Sequence, residues 1–457
     1  MRRLVVVGGG ISGLAAAWTA SRLSAEVPDG LEVVVLEGDP EVGGKARSWS
    51  GDGWLLESGP GSFLDGRPEL QRLIDESGTA AECTPANEAS ARRFVVHRGT
   101  MREIVTNPLG FARSGILSLP GMLRVLAEPF IPARRDGIDE TIWAFAARRL
   151  GAEIADRLIL PMCLGIFAGD GRLLSLPAAF PRVAALEKES GSLIRAAIRG
   201  RRAARRQFAF RHGMQTLPIA LARQSRFTVR TSTRAANLAR SESGWLVGIG
   251  DGSEAIPADA VVLAMEPGTI ATLVRPHLPD AASELEAIPC PPVAVVGLGY
   301  GPEAHGPVPR GFGVLIARGE GYRMLGNVWD SHLYGGRSPD GNLLIRVMFG
   351  GAVDPEAGRL PETELATLAR EEVRRLYGLQ AAPRFERVVR WSRAIPQYGL
   401  GHLDRAARVT EALTRSPGLF LGGSGLHGVS FPDAAATGVR CGEQAVAWLG
   451  RPQGGLG

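Results

Sequence analysis

Apolar positions along this chain change period several times, and each change marks an element. Val5–Val7 is a short continuous apolar run of the kind used by a strand buried on both faces. Gly8, Gly10 and Gly13 follow, and Leu14–Leu23 continues as a run of good helix formers. LEVVVL, residues 31–36, predicts a second strand of the same buried kind. From about residue 85 to 210 the pattern turns mostly helical. DETIWAFAARRLGAEIADRLILPM, residues 139–162, carries apolar residues at helical spacing with Arg and Glu on the opposite face. A helix is expected to begin at Gly213–Leu217, a hairpin-like alternation to occupy 227–250, and ADAVVLAM (258–265) to be a further buried strand. Between about 290 and 350 lie strands rich in Val, Leu and Gly (VAVVGLGY, GFGVLIA, LLIRVMFGG), and 361–377 reads as helix. The chain closes on GLFLGG, a Gly-rich turn and a helix starting near Pro432, a second strand–turn–helix that predicts a return to the first sheet.

With 457 residues the chain is long enough for two or three domains with a sizeable core. The high counts of 60 Gly and 31 Pro predict many turns. A net charge of +5, carried mostly by Arg, permits anionic lipid or a carboxylate substrate but does not argue for nucleic acid. Cys83, Cys163, Cys290 and Cys441 lie far apart without a CxxC, so neither a disulfide framework nor a metal site is expected, and a reducing compartment fits better. No membrane-spanning run is expected after the N-terminus.

The opening stretch admits two readings. Arg2 and Arg3 before an Ala-rich apolar run resemble a secretory signal. Such a signal explains neither the glycine triplet nor a second strand ending in Glu37, 24 residues after Gly13. A dinucleotide site explains all three. The first glycine makes the tight turn, the second lets a pyrophosphate approach, the third packs helix on strand, and the acid meets ribose hydroxyls. GDPEVGGKARSWS then extends the phosphate site with Gly43, Gly44, Lys45 and Arg47. NAD dehydrogenases do not usually carry such a segment, whereas flavoproteins of the glutathione-reductase and amine-oxidase types do, and this resemblance points to FAD. ESGPGSF (57–63) is a further Gly-rich turn.

Taken together these segments resemble the oxygen-dependent protoporphyrinogen oxidases within the amine-oxidase-like FAD superfamily. GGGISGL, EVGGKARS and GGSGLHGVSFPDA carry the broad likeness. The narrower one rests on GIFAGDGRLLSLPAAFP (165–181), LEKESGSLIRAAI (186–198), HGMQTLP, GFGVLI, RVMFGG and RWSRAIPQYGLGH (390–402). The resemblance implies an α/β fold: a split Rossmann-like FAD domain, a mixed-sheet substrate domain, and a helical insert that rests on a membrane. The corresponding boundaries are FAD-binding parts at 1–84, 213–287 and 386–457, a helical insert at 85–212 and a substrate domain at 288–385.

The resemblance further implies six-electron oxidation of protoporphyrinogen IX, with O2 reoxidising a non-covalent FAD, and coproporphyrinogen III as the alternative substrate. The FAD contacts carry over to Gly8, Gly10, Ser12, Gly13, Glu37, Gly44, Lys45, Arg47, Gly59, Trp391, Gly423, Gly428, Val429 and Ser430. Lys45 departs from the Arg of many relatives but keeps the charge. Arg93 is placed at a substrate propionate, and Leu315, Val328 and Phe349 at an apolar slot for the macrocycle. Ordinary strand core is the competing explanation for these apolar positions, and a solvated pair for Arg92 and Arg93.

No side chain is assigned as catalytic, because the flavin carries out the chemistry; Tyr398 and His402 are read as structural. The implied partners are porphyrinogen and O2, an anionic membrane surface approached through the basic run at 199–207, a homodimer, and the next haem-pathway enzyme. The implied location is the cytoplasm or the inner face of the cell membrane. Two other classes remain: another amine or polyene oxidoreductase of the same fold, and a flavin-binding protein without turnover.

Overall fold

The structure is a computed structural model that describes residues 1–105, 107–200, 205–223, 226–242 and 244–451. The tail at 452–457 and the middle of the 199–207 basic run, residues 201–204, lie outside it.

Five strands form a fully parallel sheet in the order Thr228–Arg230, Leu31–Leu36, Arg2–Val7, Ala260–Leu263, Leu419–Leu421. Its three central strands carry the continuous apolar runs Leu4–Val7, Val33–Leu36 and Ala260–Leu263 because both faces are covered there. Leu4, Val6, Val33 and Val35 pack against the helices Ile11–Arg22 and Phe431–Leu449. Val5, Val7, Val34 and Leu36 pack against Pro267–Val274, Pro279–Glu286 and a small antiparallel sheet. The two covering helices meet through small residues. A Cβ on Gly438 would sit 2.0 Å from the Ser12 carbonyl oxygen, and one on Gly442 2.5 Å from that of Ala16. The chain's last helix is thereby locked onto its first.

A seven-stranded sheet forms the second body, in the order Phe385–Trp391, Val293–Tyr300, Leu343–Gly350, Gly326–Val328, Gly313–Ile316, Arg93–His97, Thr100–Glu103. Helix Glu362–Tyr377 covers one face, burying Leu365, Ala369 and Val373 against Ala294, Val296, Ile345, Val347 and Phe349. The other face looks toward the nucleotide-type sheet.

Several expectations need correction. Residues 93–103 are not helix but a hairpin on the sheet edge, pairing in parallel with Gly313–Ile316. Gln207–Phe210 is likewise a strand, between Phe63–Leu64 and Cys83–Pro85. The expected boundary at 386 falls inside the strand Phe385–Trp391, whose antiparallel ladder with Val293–Tyr300 keeps it in the seven-stranded sheet. The 139–162 helix is two helices, because Gly151 adopts φ +103° between Ile142–Leu150 and the next turn. The 227–250 alternation is also divided: Thr228–Arg230 joins the parallel sheet, and Ala235–Ser241 pairs with Gly244–Ile249.

The helical part is joined by charge as well as by apolar contact. Arg149 and Glu128 are both fully buried and ion-paired, and Glu128 also accepts from the Leu193 backbone N–H at 2.9 Å. Among the described residues no helix is long and apolar enough to cross a membrane.

Candidate cofactor and substrate site

The opening turn requires its glycines for different reasons. Gly8 has φ +107°, and a Cβ there would lie 2.6 Å from the Ala264 carbonyl oxygen. A Cβ on Gly13 would lie 1.8 Å from the Gly8 oxygen, so helix and strand could not close. Gly10 differs: the nearest atom to its Cβ would be the Gly44 Cα at 4.0 Å. Protein packing leaves that position open. Helix Ile11–Arg22 begins there with no side-chain cap and no acid in its first turn. Free N–H groups, a positive helix end and an open approach are what a phosphate needs.

The neighbouring residues fit the same ligand. Glu37 accepts from the Gly9 N–H at 2.7 Å and the Asp39 N–H at 2.8 Å, which fixes its carboxylate at the strand end. Arg47 pairs with Asp39 while its Nε is buried without a partner. Burial pushes the Lys45 ammonium below its usual value, and Cys290 and Glu266 oppose that shift. Gly44 lies against Gly10, and the Ser12 hydroxyl accepts from the Gly423 N–H at 2.8 Å, so the first and last Gly-rich turns are one structure. Gly423 and Gly428 both have positive φ. Ser430 caps helix Phe431–Leu449, and Val429 packs beside Phe167 and Phe180.

The turn Glu57–Gly61 joins the two sheets. Gly59 cannot carry a side chain, because a Cβ would be 2.1 Å from the Lys45 oxygen. The Trp391 Nε1–H donates to the Ser58 carbonyl at 2.6 Å. Glu57 is buried and takes hydrogen bonds from Ser48 Oγ at 2.6 Å, the Met214 N–H at 3.0 Å and Arg337 at 2.8 Å. Burial raises its carboxyl above the usual range, and Arg337 opposes this. No local sequence pattern marks these supports. Met214 and Gln215 stand in HGMQTLP, whose pattern was visible without a role; Arg337 stands in a turn with no signal.

Side chains alternate across the seven-stranded sheet, and this sorts the predicted slot residues. Arg93, Gly313, Val328 and Arg346 are direct lateral neighbours on four successive strands. Val95, Leu315, Gly326 and Met348 form the next row on the same face. Arg93 is exposed, lies over the Phe312 ring at 5.0 Å and makes no ion pair among the described residues. Leu315 packs against Val95 and beneath Gly165. Phe349 is not part of this face. It is fully buried in the opposite core with Val347 and Val373, because pleating turns it away from Met348 beside it. Met348, not Phe349, shares the face of Val95 and Leu315.

Tyr398 and His402 lie behind the last Gly-rich turn. Their rings stack at 3.9 Å; Tyr398 donates to the Ser424 carbonyl and His402 Nε2 to that of Leu426. Both support the turn from its buried side.

The family model for flavin containing amine oxidoreductase matches residues 11–445. The chain belongs to that family. It is therefore a flavin-dependent oxidoreductase. Among curated relatives, coproporphyrinogen III oxidase of Bacillus subtilis (strain 168) is 29% identical over 98% of both chains. The Propionibacterium freudenreichii enzyme of the same name is 33% identical over 94% of this chain and 88% of its own. Protoporphyrinogen oxidase 1, chloroplastic, of Spinacia oleracea is 31% identical over 93% and 81%. A solved structure from Exiguobacterium sp. 255-15, provisionally described as a protoporphyrinogen oxidase, superposes with TM-score 0.86 at 25% identity over 98% and 99%. Cyclohexylamine oxidase from Brevibacterium oxydans IH-35A shares the fold, with TM-score 0.70 at 17% identity over 98% of each chain.

Proposed function

We propose that this protein is an FAD-dependent oxidase that converts protoporphyrinogen IX to protoporphyrin IX, with O2 reduced to hydrogen peroxide. The observation that carries the reading is the extent of the likeness. The porphyrinogen-oxidising relatives match nearly the whole chain, substrate sheet included. Coproporphyrinogen III is the second reading, favoured by the two bacterial relatives of that name.

FAD as the particular flavin is supported by Glu37, an acid just beyond the end of the second strand, the residue type that meets ribose hydroxyls in dinucleotide sites. Gly8–Gly13 and the uncapped helix would hold the pyrophosphate, with Arg47 beside it. The turn at Gly59 and those at Gly423 and Gly428 would border the ring system. The bound flavin supplies hydride acceptance and reaction with O2. The chain's own residues bind and orient the substrate. Gly313 and Val328 leave a low apolar floor for a flat macrocycle, and Arg93 at its outer end offers a planar cation to a propionate.

A peripheral membrane position is supported by helix Leu119–Leu126. Leu119, Leu123 and Leu126 share one exposed face, and Phe130 beyond it is 83% exposed.

The test is the absorption spectrum of the purified protein, acid release of its flavin, and anaerobic mixing with each porphyrinogen. A yellow protein that releases FAD and is bleached by one porphyrinogen, then yields fluorescent porphyrin in air, is expected. A protein that takes up no flavin, or whose flavin neither porphyrinogen reduces, overturns the reading.

A further inference from the structure

Arg346 occupies an unusual place. It lies in lateral register with Arg93 on the seven-stranded sheet, yet it is buried where Arg93 is exposed. It is 6% exposed, and its guanidinium meets Asp330 through two hydrogen bonds, Nε at 2.9 Å and Nη2 at 3.2 Å. Its remaining Nη1 crosses to the other half of the molecule and donates to the Gly59 carbonyl at 2.7 Å. A Cβ on Gly61 would lie 2.2 Å from Nη2, so the turn folds directly over the guanidinium.

Trp391 does the same one residue earlier, at the Ser58 carbonyl. Two donors from neighbouring parts of the substrate sheet therefore hold two successive carbonyls of the Glu57–Gly61 turn. A trans peptide places N–H opposite C=O, so fixing the Ser58 carbonyl toward Trp391 turns the Gly59 N–H away from the substrate sheet. Pro60 supplies no N–H, so the Gly59 carbonyl is the only hydrogen-bonding group of the next peptide. On its other side the Ser58 N–H and hydroxyl both donate to the Arg47 carbonyl, so the turn bridges the two halves. Asp330 keeps Arg346 from acting as a second carboxylate receptor, because its charge is already matched inside the protein.

We infer that Arg346, held by Asp330, is a positioning residue that fixes the Glu57–Gly61 turn to the substrate sheet and so sets the flavin's seat relative to substrate. The inference rests on the flavin reading above. It separates two arginines of one row: Arg93 acts on substrate affinity, and Arg346 on the cofactor and on turnover.

The experiment compares wild type with Arg346→Lys and with the double variant Arg346→Gln/Asp330→Asn, which leaves no unpaired charge and keeps amide hydrogen-bonding groups. Flavin affinity is read by fluorescence titration of the apoprotein, the flavin environment by visible absorption and midpoint potential, and folding by circular dichroism and Tm. For the double variant we expect a folded protein with flavin dissociation constant raised about tenfold or more, a shifted flavin spectrum and a lower kcat at nearly unchanged KM. Arg346→Lys should recover only part, since an ammonium cannot serve Asp330 bidentately and also reach Gly59. A lower Tm alone, with flavin affinity, spectrum and kcat as in wild type, overturns the inference and makes the pair a plain structural one. A KM increase without a flavin effect also overturns it. Wild type that binds no flavin overturns the functional reading itself, which the variants are not needed to show.

Discussion

Arg92 and Arg93 are adjacent in the chain and differ completely in their partners. Arg92 forms a two-point ion pair with Glu103, at 3.0 and 2.8 Å, whereas Arg93, among the described residues, has the Phe312 ring beneath its guanidinium and no ion pair. Strand alternation directs them to different sides of the hairpin. If Arg93 meets a propionate, Arg93→Ala should raise KM about ten- to hundredfold with the flavin spectrum unchanged. Arg93→Lys should recover part of this. Arg92→Ala removes an exposed pair, worth under about 1 kcal/mol, and should leave steady-state kinetics near wild type. Equal small effects at both positions would place the carboxylate contact elsewhere.

Gly13→Ala tests the closure of helix on strand. The new Cβ would lie 1.8 Å from the Gly8 oxygen, so backbone must move. Overpacking of this kind costs about 1–3 kcal/mol or more, and should lower Tm and release flavin together. Retention of full flavin content would show that the turn can relax.

Acid sensitivity should come largely from buried histidines. His402 is pushed down to about 4 by burial, with Arg405 and His427 acting the same way and Asp139 opposing. Its Nδ1 is buried without a partner. In the unfolded chain the ring takes a proton below about 6.5, so its stabilising contribution is complete above that pH and is lost as pH falls toward 4, by about 3 kcal/mol. His332, also lowered to about 4 by burial beside His305 and Arg310, behaves alike. His402→Gln keeps a donor for Leu426 and should remove about half of the decline in Tm between pH 6.5 and 4. An unchanged pH profile would exclude His402 as its source.

Glu128→Ala should destabilise the helical part more than any surface change. It removes one of the two carboxylates paired with the fully buried Arg149, leaving Glu187 at 3.3 Å, at a cost of up to about 3–5 kcal/mol. Hydrogen exchange should then rise in Ile142–Leu150 and Leu193–Arg199 before the parallel sheet opens. Uniform loosening would mean that the insert is not a separate unit.

The exposed leucine stripe predicts binding to vesicles that contain anionic lipid. Replacing Leu119, Leu123 and Leu126 together by Ser should reduce the bound fraction several-fold and leave the flavin spectrum intact. Absence of binding by wild type at low salt would remove the membrane reading.

The sequence by itself determined the nucleotide half. Val5–Val7, the three glycines, Leu31–Leu36 and Glu37 are local signals: a buried strand, a turn that excludes side chains and an acid at a strand end need no distant partner to be recognised. The same holds for the closing strand and helix, which return to that sheet as their pattern predicted. The motifs RWSRAIPQYGLGH and RVMFGG marked Trp391 and the Leu343–Gly350 strand as worth attention, but not which way their residues point. Only tertiary structure decided that Arg93–His97 leaves the helical insert to extend the substrate sheet, since a short strand on a sheet edge is fixed by its neighbour rather than by its own period. Register and pleat decided that Met348 and not Phe349 shares the face of Arg93 and Leu315, because a one-residue step reverses the face. The joining of Arg346 to Gly59, 287 positions apart, exists only once two separately folded sheets are brought face to face.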